Sequence, residues 1–193
     1  TPIFRSGKMT SSVTVDLCIY LNRLLAPTTT VHGVLMDVFG AGILLTGSSG
    51  VGKSETAMEL IKRGHRLVAD DSVLIKRIEN ELVAPERIRY FMELRGIGII
   101  NVKNMYGSGA VMTEKAIELV MELEPWKKDK EYDRIGGEGS TESILGLNIP
   151  KLTVPVSAGR NLAILIEVAA RDQRLTNMGY DAASELIART IGR

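Results

Sequence analysis

The stretch GSSGVGKSE, residues 47–55, contains residue types that suit phosphate binding. Gly47, Gly52, Lys53 and Ser54 match the P-loop pattern G-x-x-x-x-G-K-[ST]. Glycines let consecutive backbone N–H groups converge on an anion, and a helix that starts there adds its positive end. Lys53 would reach the β- and γ-phosphates, and the hydroxyl of Ser54 can ligate Mg²⁺. The candidate nucleotide-binding residues are Gly47, Ser48, Ser49, Gly50, Val51, Gly52, Lys53, Ser54 and Glu55.

The same pattern can also arise as a Gly/Ser turn beside an unrelated lysine. Here the apolar segment ILLT, residues 43–46, predicts a strand before the loop, and residues 53–62 predict a helix after it. This strand–loop–helix context favours phosphate binding over the simple turn.

Two adjacent carboxylates end the segment RLVADD, residues 66–71. Phosphoryl transfer needs an acid that holds a metal and a group that orients the nucleophile. Asp70 and Asp71 should point to opposite faces of the strand end, so we expect them to have different roles. Burial and a neighbouring negative charge would raise the pKa of such a carboxyl and make it usable as a base or an acid. The alternative is that both acids cap a turn.

The segment MELRGIGIINV, residues 92–102, is unusual for a core strand. Gly96 and Gly98 weaken a strand unless the backbone must come close to another group. Glu93 and Arg95 carry opposite charges beside these glycines. One interpretation is that this segment forms a second wall of the site, with Glu93 bound to Mg²⁺. The alternative is a solvated Glu–Arg pair beside a bulge, and the spacing alone favours this alternative.

Three further candidates remain, and the first two have ordinary structural explanations. His32 lies on a predicted strand, where a lone histidine is usually structural. Arg134 lies in a polar, Gly-rich loop over residues 127–143, where an arginine is by default solvated. The segment PVSAGRN, residues 155–161, precedes a predicted helix with Asn161 as N-cap, and this is another candidate anion site.

The elements that would position these residues predict an α/β or α+β core with a mixed sheet, because strands and helices do not strictly alternate. Helices are predicted over residues 13–25, 53–62, 161–175 and 181–191, with a short one over residues 87–92. Strands are predicted over residues 31–39, 43–46, 66–71 and 115–124, with a hairpin that turns at residues 79–80.

Composition is ordinary for one globular domain over residues 1–193, with 45% hydrophobic and 24% charged residues. The net charge of +1 gives no argument for a nucleic-acid or membrane partner. No apolar run suggests a membrane span or a signal peptide. The single cysteine, Cys18, excludes an intrachain disulfide and favours a reducing cytoplasm. The start at Thr1 suggests a fragment of a longer protein.

Taken together, these stretches resemble the bacterial bifunctional HPr kinase/phosphorylase family, specifically its C-terminal catalytic domain. The resemblance is carried by HGVLMDVFGAGILLTGSSGVGKSE, RGHRLVADD, ELRGIGIINV, YDRIG and PVSAGRNLAILIEVAA. It implies ATP- and Mg²⁺-dependent phosphorylation of a serine of the phosphocarrier HPr. It also implies the reverse phosphorolysis, in which inorganic phosphate attacks the phosphoserine and gives pyrophosphate.

The resemblance further implies a cytoplasmic homohexamer that serves carbon catabolite control, and a core similar to phosphoenolpyruvate carboxykinase. The family's N-terminal domain is absent from this sequence. Two other functions stay open: a small-molecule P-loop kinase or carboxykinase relative, and a nucleotide-sensing module without catalysis.

The residue roles implied by the resemblance start with Asp71, which would accept the serine proton in the kinase direction and return it in reverse. Ser54 and Glu93 would ligate Mg²⁺. The further catalytic residues would be His32, Lys53, Arg134 and Asp70. A segment tied to dephosphorylation would comprise Pro155, Val156, Ser157, Ala158, Gly159 and Arg160. Ser48 stands where many members carry Asp, at a loop position that contributes mainly backbone.

Overall fold

The structure is a computed structural model, and it describes residues 3, 5–85, 90–128, 130, 132, 140–157 and 159–191. Its α-helices are α1 (Thr10–Leu24), α2 (Lys53–Lys62), α3 (Val102–Tyr106), α4 (Leu162–Asn177) and α5 (Ala182–Ile191). Its strands are β1 (Thr28–His32), β2 (Val34–Val38), β3 (Ala41–Gly47), β4 (Arg66–Ala69), β5 (Ser72–Ile78), β6 (Glu81–Pro85), β7 (Phe91–Leu94), β8 (Gly98–Asn101), β9 (Glu114–Ala116), β10 (Leu119–Pro125), β11 (Thr141–Ile144) and β12 (Leu147–Val156).

The central layer is a six-stranded mixed sheet in the order β11-β12-β10-β3-β2-β4. Strand β10 runs parallel to β3 and β12, whereas the other neighbours are antiparallel. Helices α2 and α4 pack on one face, and the four-stranded antiparallel sheet β1-β5-β6-β9 packs on the other. The predicted mixed α/β sheet is therefore confirmed.

Strand β3 shows how alternation builds this core. Ile43 and Leu45 are fully buried among the side chains of α2 and α4, while Leu44 is buried against the four-stranded sheet. Successive side chains of a strand point to opposite faces, so an apolar run is required where both faces are covered. The strand that leads into the phosphate loop is thus fixed from both sides.

The chain crosses between the two sheets at Gly33 and crosses back at residues 70–71. Strands β1 and β5 belong to the four-stranded sheet, whereas β2 and β4 belong to the six-stranded sheet. The N–H of Gly33 donates to the carbonyl oxygen of Asp71 over 3.2 Å. A Cβ at Gly33 would lie 2.5 Å from the carbonyl oxygen of Leu45, so only glycine fits this crossing. The two crossings lie side by side.

Two strand predictions are wrong. Residues 31–39 form β1 and β2, and residues 115–124 form β9 and β10. In both cases the two strands lie in different sheets, because the chain changes sheet at Gly33 and at residues 117–118. The sequence pattern did not indicate β12, which contains Pro150 and Pro155 and alternates between half-buried and exposed residues over much of its length. Proline is depleted in strand interiors, so this composition hides the strand.

Four helix predictions are confirmed by α1, α2, α4 and α5, with differences of a few residues at their ends. The short helix predicted over residues 87–92 lies partly outside the described residues, and it is wrong where β7 begins at Phe91. The hairpin turn at residues 79–80 separates β5 from β6 as expected. The side chain of Asn161 accepts a hydrogen bond from the N–H of Ile164 over 3.2 Å, which confirms it as the N-cap of α4. In the described part of the chain, no helix combines the length and hydropathy needed to cross a membrane.

Close packing of backbones at Gly42 gives a stability prediction. A Cβ on Gly42 would lie 1.8 Å from the carbonyl oxygen of Ala116, so Gly42→Ala must push β3 and β9 apart. We expect the free energy of unfolding to fall by about 1–3 kcal/mol in urea denaturation. Gly109→Ala is the control, because a Cβ there meets no atom within 4 Å, and its effect should stay below about 0.5 kcal/mol. Equal losses in both variants would contradict the packing explanation.

Candidate phosphoryl-transfer site

The loop between β3 and α2 has the backbone shape of an anion-binding loop. Gly47 and Gly52 have φ angles of 131° and 103°, which side-chain-bearing residues rarely adopt. Gly52 is the N-cap of α2, so the first turn of the helix directs its free N–H groups toward the loop. This arrangement offers a partial positive charge to an anion.

Lys53 is held at the base of this loop. Its side chain is 7% exposed, and its Nζ donates to the carbonyl oxygens of Gly47 at 2.9 Å and Ser48 at 3.1 Å. Both acceptors are uncharged, so these bonds fix the ammonium group and leave its positive charge to act on an anion in the loop.

Asp70 connects the start of α2 to β7. The hydroxyl of Ser54 donates to its Oδ1 over 3.3 Å, and the main-chain N–H of Glu93 donates to its Oδ2 over 3.0 Å. Burial raises the pKa of Asp70 above its ordinary value, and the hydrogen bonds from Glu93, Asp71 and Ser54 oppose this shift. A half-buried carboxyl therefore links the phosphate loop to the hairpin that carries Glu93.

Asp71 faces a different partner. The Nδ1 of His32 lies 3.1 Å from Oδ1 of Asp71 and 2.9 Å from its carbonyl oxygen. Both oxygens are acceptors, so Nδ1 carries the proton and donates to them. The side chains of His32 and Asp71 are 54% and 65% exposed, which leaves the carboxyl accessible to a substrate.

The different contacts of Asp70 and Asp71 do not come from simple strand alternation, because β4 already ends at Ala69. Asp71 has a φ angle of 63°, in the left-handed region that aspartate tolerates better than most residues. Both carboxyl groups nevertheless line one cleft. This cleft is lined by His32, Val34, Ser49, Gly50, Gly52, Lys53, Ser54, Glu55, Asp70, Asp71, Glu93 and Arg95.

The segment 92–102 is a hairpin and its exit, not a single core strand. Strands β7 and β8 pair with Glu93 opposite Ile99 and Leu94 opposite Gly98. Gly96 and Gly98 have φ angles of 79° and 98°, and a Cβ on either would meet no atom within 4 Å. The glycines thus serve the turn conformation, and the space beside them holds no other described part of the chain.

These features match a known family. The family model described as the HPr serine kinase C-terminal domain matches residues 23–190. The chain belongs to this family.

The relatives and a solved structure agree with this assignment. The HPr kinase/phosphorylase of Geobacillus thermodenitrificans is 52% identical over 191 residues, which are 97% of this chain and 62% of that protein. That of Listeria welshimeri is 52% identical over 188 residues, which are 95% of this chain and 60% of that protein. The structure of the Hpr(Ser) kinase/phosphatase from Coxiella burnetii has a TM-score of 0.73 and 35% identity, and the match covers 82% of this chain and 98% of that one. The chain spans about three fifths of the length of the curated relatives it matches.

The structure brings together most residues that the family resemblance assigns. His32, Lys53, Asp70, Asp71 and Glu93 line the cleft with much of the phosphate loop. Gly47, Ser48 and Val51 belong to the same loop but are not among its lining residues. Arg134 and Ala158 lie outside the described residues.

The described residues of the segment 155–160 do not line this cleft. The segment begins where β12 ends, with Pro155 paired to Glu124 of β10, and β10 in turn pairs Leu123 with Gly47 of β3. It therefore starts at the same edge of the sheet as the phosphate loop, two strands away. Its role in dephosphorylation stays a prediction.

Sequence reasoning missed Arg95 as a site residue. Its Nη2 donates to the hydroxyl of Ser49 over 3.0 Å, which places the guanidinium beside the phosphate loop. The available signal was its position two residues after Glu93, which the resemblance had assigned to the site. The interpretation of Glu93 and Arg95 as a merely solvated pair is wrong for Arg95.

The half-buried position of Asp70 gives a pH-dependent stability prediction. Its pKa in the folded protein lies above 3.8, so from pH 3.8 up to the raised pKa the folded protein holds a proton that the unfolded chain has lost. The contribution of this group to stability therefore falls as the pH rises through that window. We expect wild type to lose more free energy of unfolding than Asp70→Asn between about pH 4 and about pH 7 in urea denaturation. The control is Asp172→Asn, which removes an exposed carboxyl of α4, and its free energy of unfolding should change with pH as that of wild type does. Parallel pH dependences for wild type and Asp70→Asn would contradict the raised pKa of Asp70.

Proposed function

We propose that this chain is the catalytic domain of an HPr kinase/phosphorylase. It would use ATP with Mg²⁺ to phosphorylate a serine of HPr, and it would run the reverse phosphorolysis with inorganic phosphate. The observation that carries the proposal is the meeting of the anion-binding loop, Lys53 and the His32–Asp71 pair in one cleft. The names of the relatives support HPr as the substrate.

In the kinase direction, the serine oxygen bonds to the γ-phosphorus of ATP, and the bond from that phosphorus to ADP breaks. Asp71 accepts the proton that the serine hydroxyl loses in this step. Asp71 suits this role because its carboxyl is exposed in the cleft and one of its oxygens is held by the N–H of His32. The transition state of phosphoryl transfer is loose, so positioning the serine matters more than early proton removal.

The loop between β3 and α2 forms the end of the cleft that would bind the phosphate groups. Its backbone N–H groups and Lys53 hold the phosphate oxygens, and Arg95 adds a second cation beside Ser49. We assign Arg134 as a further positive group, on the resemblance alone.

The charges of the cleft fit a bound divalent cation. Its lining has four carboxyl groups, Glu55, Asp70, Asp71 and Glu93, against two cationic side chains, Lys53 and Arg95. A polyphosphate would be repelled by this excess of negative charge without an added cation. Ser54 and Glu93 would hold Mg²⁺, which accepts one or two carboxylates together with substrate phosphates and water. When bound, Mg²⁺ neutralises charge on the phosphates.

In the reverse direction, inorganic phosphate occupies the loop and its oxygen bonds to the phosphorus of phosphoserine. The bond from phosphorus to the serine oxygen breaks, and Asp71 returns a proton to that oxygen. The products are the free serine and pyrophosphate. A loop that recognises phosphate oxygens rather than the nucleoside can serve both directions.

The resemblance supports the remaining parts of the proposal. The working enzyme would be a cytoplasmic homohexamer that carries an N-terminal domain and acts in carbon catabolite control. The similarity of the core to phosphoenolpyruvate carboxykinase stays a prediction.

Asp71→Asn tests the proposed proton acceptor. We expect the rates of phosphorylation and phosphorolysis both to fall by about 10²–10⁴-fold, because proton transfer is lost in each direction. ATP affinity should stay near wild type, since the phosphate loop is unchanged. The assay follows phosphoserine on HPr, and Asp172→Asn is the matched control. Retention of either activity at wild-type rate would contradict the role of Asp71.

The product of the reverse reaction separates phosphorolysis from hydrolysis. Phosphorylated HPr incubated with the chain, Mg²⁺ and labelled inorganic phosphate should give labelled pyrophosphate in step with the loss of phosphoserine. Release of inorganic phosphate without pyrophosphate would rule out the proposed reverse reaction. Turnover of a small metabolite in place of HPr would favour a small-molecule kinase.

A further inference from the structure

The outward face of the β7–β8 hairpin is apolar next to the catalytic cleft. Residues paired across an antiparallel hairpin share a face, so Ile99 lies on the same face as Glu93. Ile97, in the turn between β7 and β8, and Ile99 are 74% and 75% exposed, and Phe91, two residues before Glu93, is 46% exposed. Met92, on the opposite face, is 1% exposed and belongs to the core.

This distribution departs from the usual pattern of a hairpin with one buried face. Such a hairpin carries apolar side chains inward and polar side chains outward. Here Met92, Leu94 and Ile100 already supply the inward contacts, so the outward isoleucines do not stabilise the fold of this chain. Neighbouring exposed apolar residues mark a contact surface more often than isolated ones do.

The apolar face is continuous with the catalytic cleft. Glu93, the residue opposite Ile99, lines the cleft, and its main-chain N–H donates to Asp70. Arg95, two residues before Ile97, reaches Ser49 of the phosphate loop. An acceptor that brings its hydroxyl into the cleft therefore has this face beside it.

We propose that Ile97 and Ile99 contact apolar side chains of the protein substrate next to its acceptor serine. The inference rests on the proposed function, because it requires a protein acceptor. A nucleotide or a small metabolite would be held by the charged groups inside the cleft, whereas an apolar face outside it matches the wider surface of a protein. The pair would thus contribute to selection of the protein substrate and not to the phosphoryl transfer itself.

The test is the double variant Ile97→Thr/Ile99→Thr, which keeps the β-branched shape and removes apolar surface. We expect its KM for HPr to rise about tenfold or more, and its affinity for HPr, measured by calorimetry, to fall by a similar factor. The kcat at saturating HPr and the affinity for ATP should stay within about twofold of wild type. Val168→Thr, at an exposed position of α4, is the matched control and should change none of these values.

The outcomes separate this inference from the proposed function. If wild type binds HPr but transfers no phosphate, the proposed function is contradicted. The docking inference is then decided by the HPr affinities of wild type and the double variant. Equal KM values and equal HPr affinities for wild type and the double variant would overturn the inference. A second result would also overturn the inference: the double variant has a lower oligomeric mass in analytical ultracentrifugation, but its HPr affinity is unchanged. The face would then be a contact between copies of this chain. Absence of HPr binding by wild type would count against both.

Discussion

The catalytic geometry depends on the hydrogen bond from the N–H of Gly33 to the carbonyl oxygen of Asp71. It joins two of the points at which the chain passes between the sheets, and each of these two points has a backbone requirement. Gly33 leaves no room for a side chain against Leu45, and Asp71 adopts a left-handed conformation. Because the crossings are adjacent, His32 and Asp71 meet although they are far apart in sequence. The pairing of two sheets thus brings together the two residues of the proposed proton-accepting pair.

Asp70 extends this arrangement to the rest of the cleft. It accepts hydrogen bonds from Ser54 in the first turn of α2 and from the main chain of Glu93 in β7. Three separate segments, the phosphate loop, the second crossing and the hairpin, are therefore tied to one half-buried carboxyl. Removing part of a carboxyl from water costs solvation free energy, and its hydrogen-bond donors offset part of that cost.

Local patterns were enough to predict the features that short segments determine. The phosphate loop, the cap at Asn161 and the hairpin turn at residues 79–80 each follow from a few neighbouring residues. The split of residues 31–39, the strand β12 and the position of Arg95 depend on pairing with distant parts of the chain. Gly33 gives no local sign that β1 and β2 enter different sheets, because the constraint is the carbonyl oxygen of Leu45.

Two adjacent carboxyl groups are not redundant when their surroundings differ this much. Asp70 is half-buried, has a raised pKa and accepts hydrogen bonds from Ser54 and from the main chain of Glu93, so its oxygens are occupied in holding segments together. Asp71 is more than half exposed and is oriented by His32, so an oxygen of its carboxyl stays accessible for proton exchange with a substrate. The left-handed turn at Asp71 separates the two environments within one residue. The second carboxyl can therefore do chemistry because the first one fixes the frame around it.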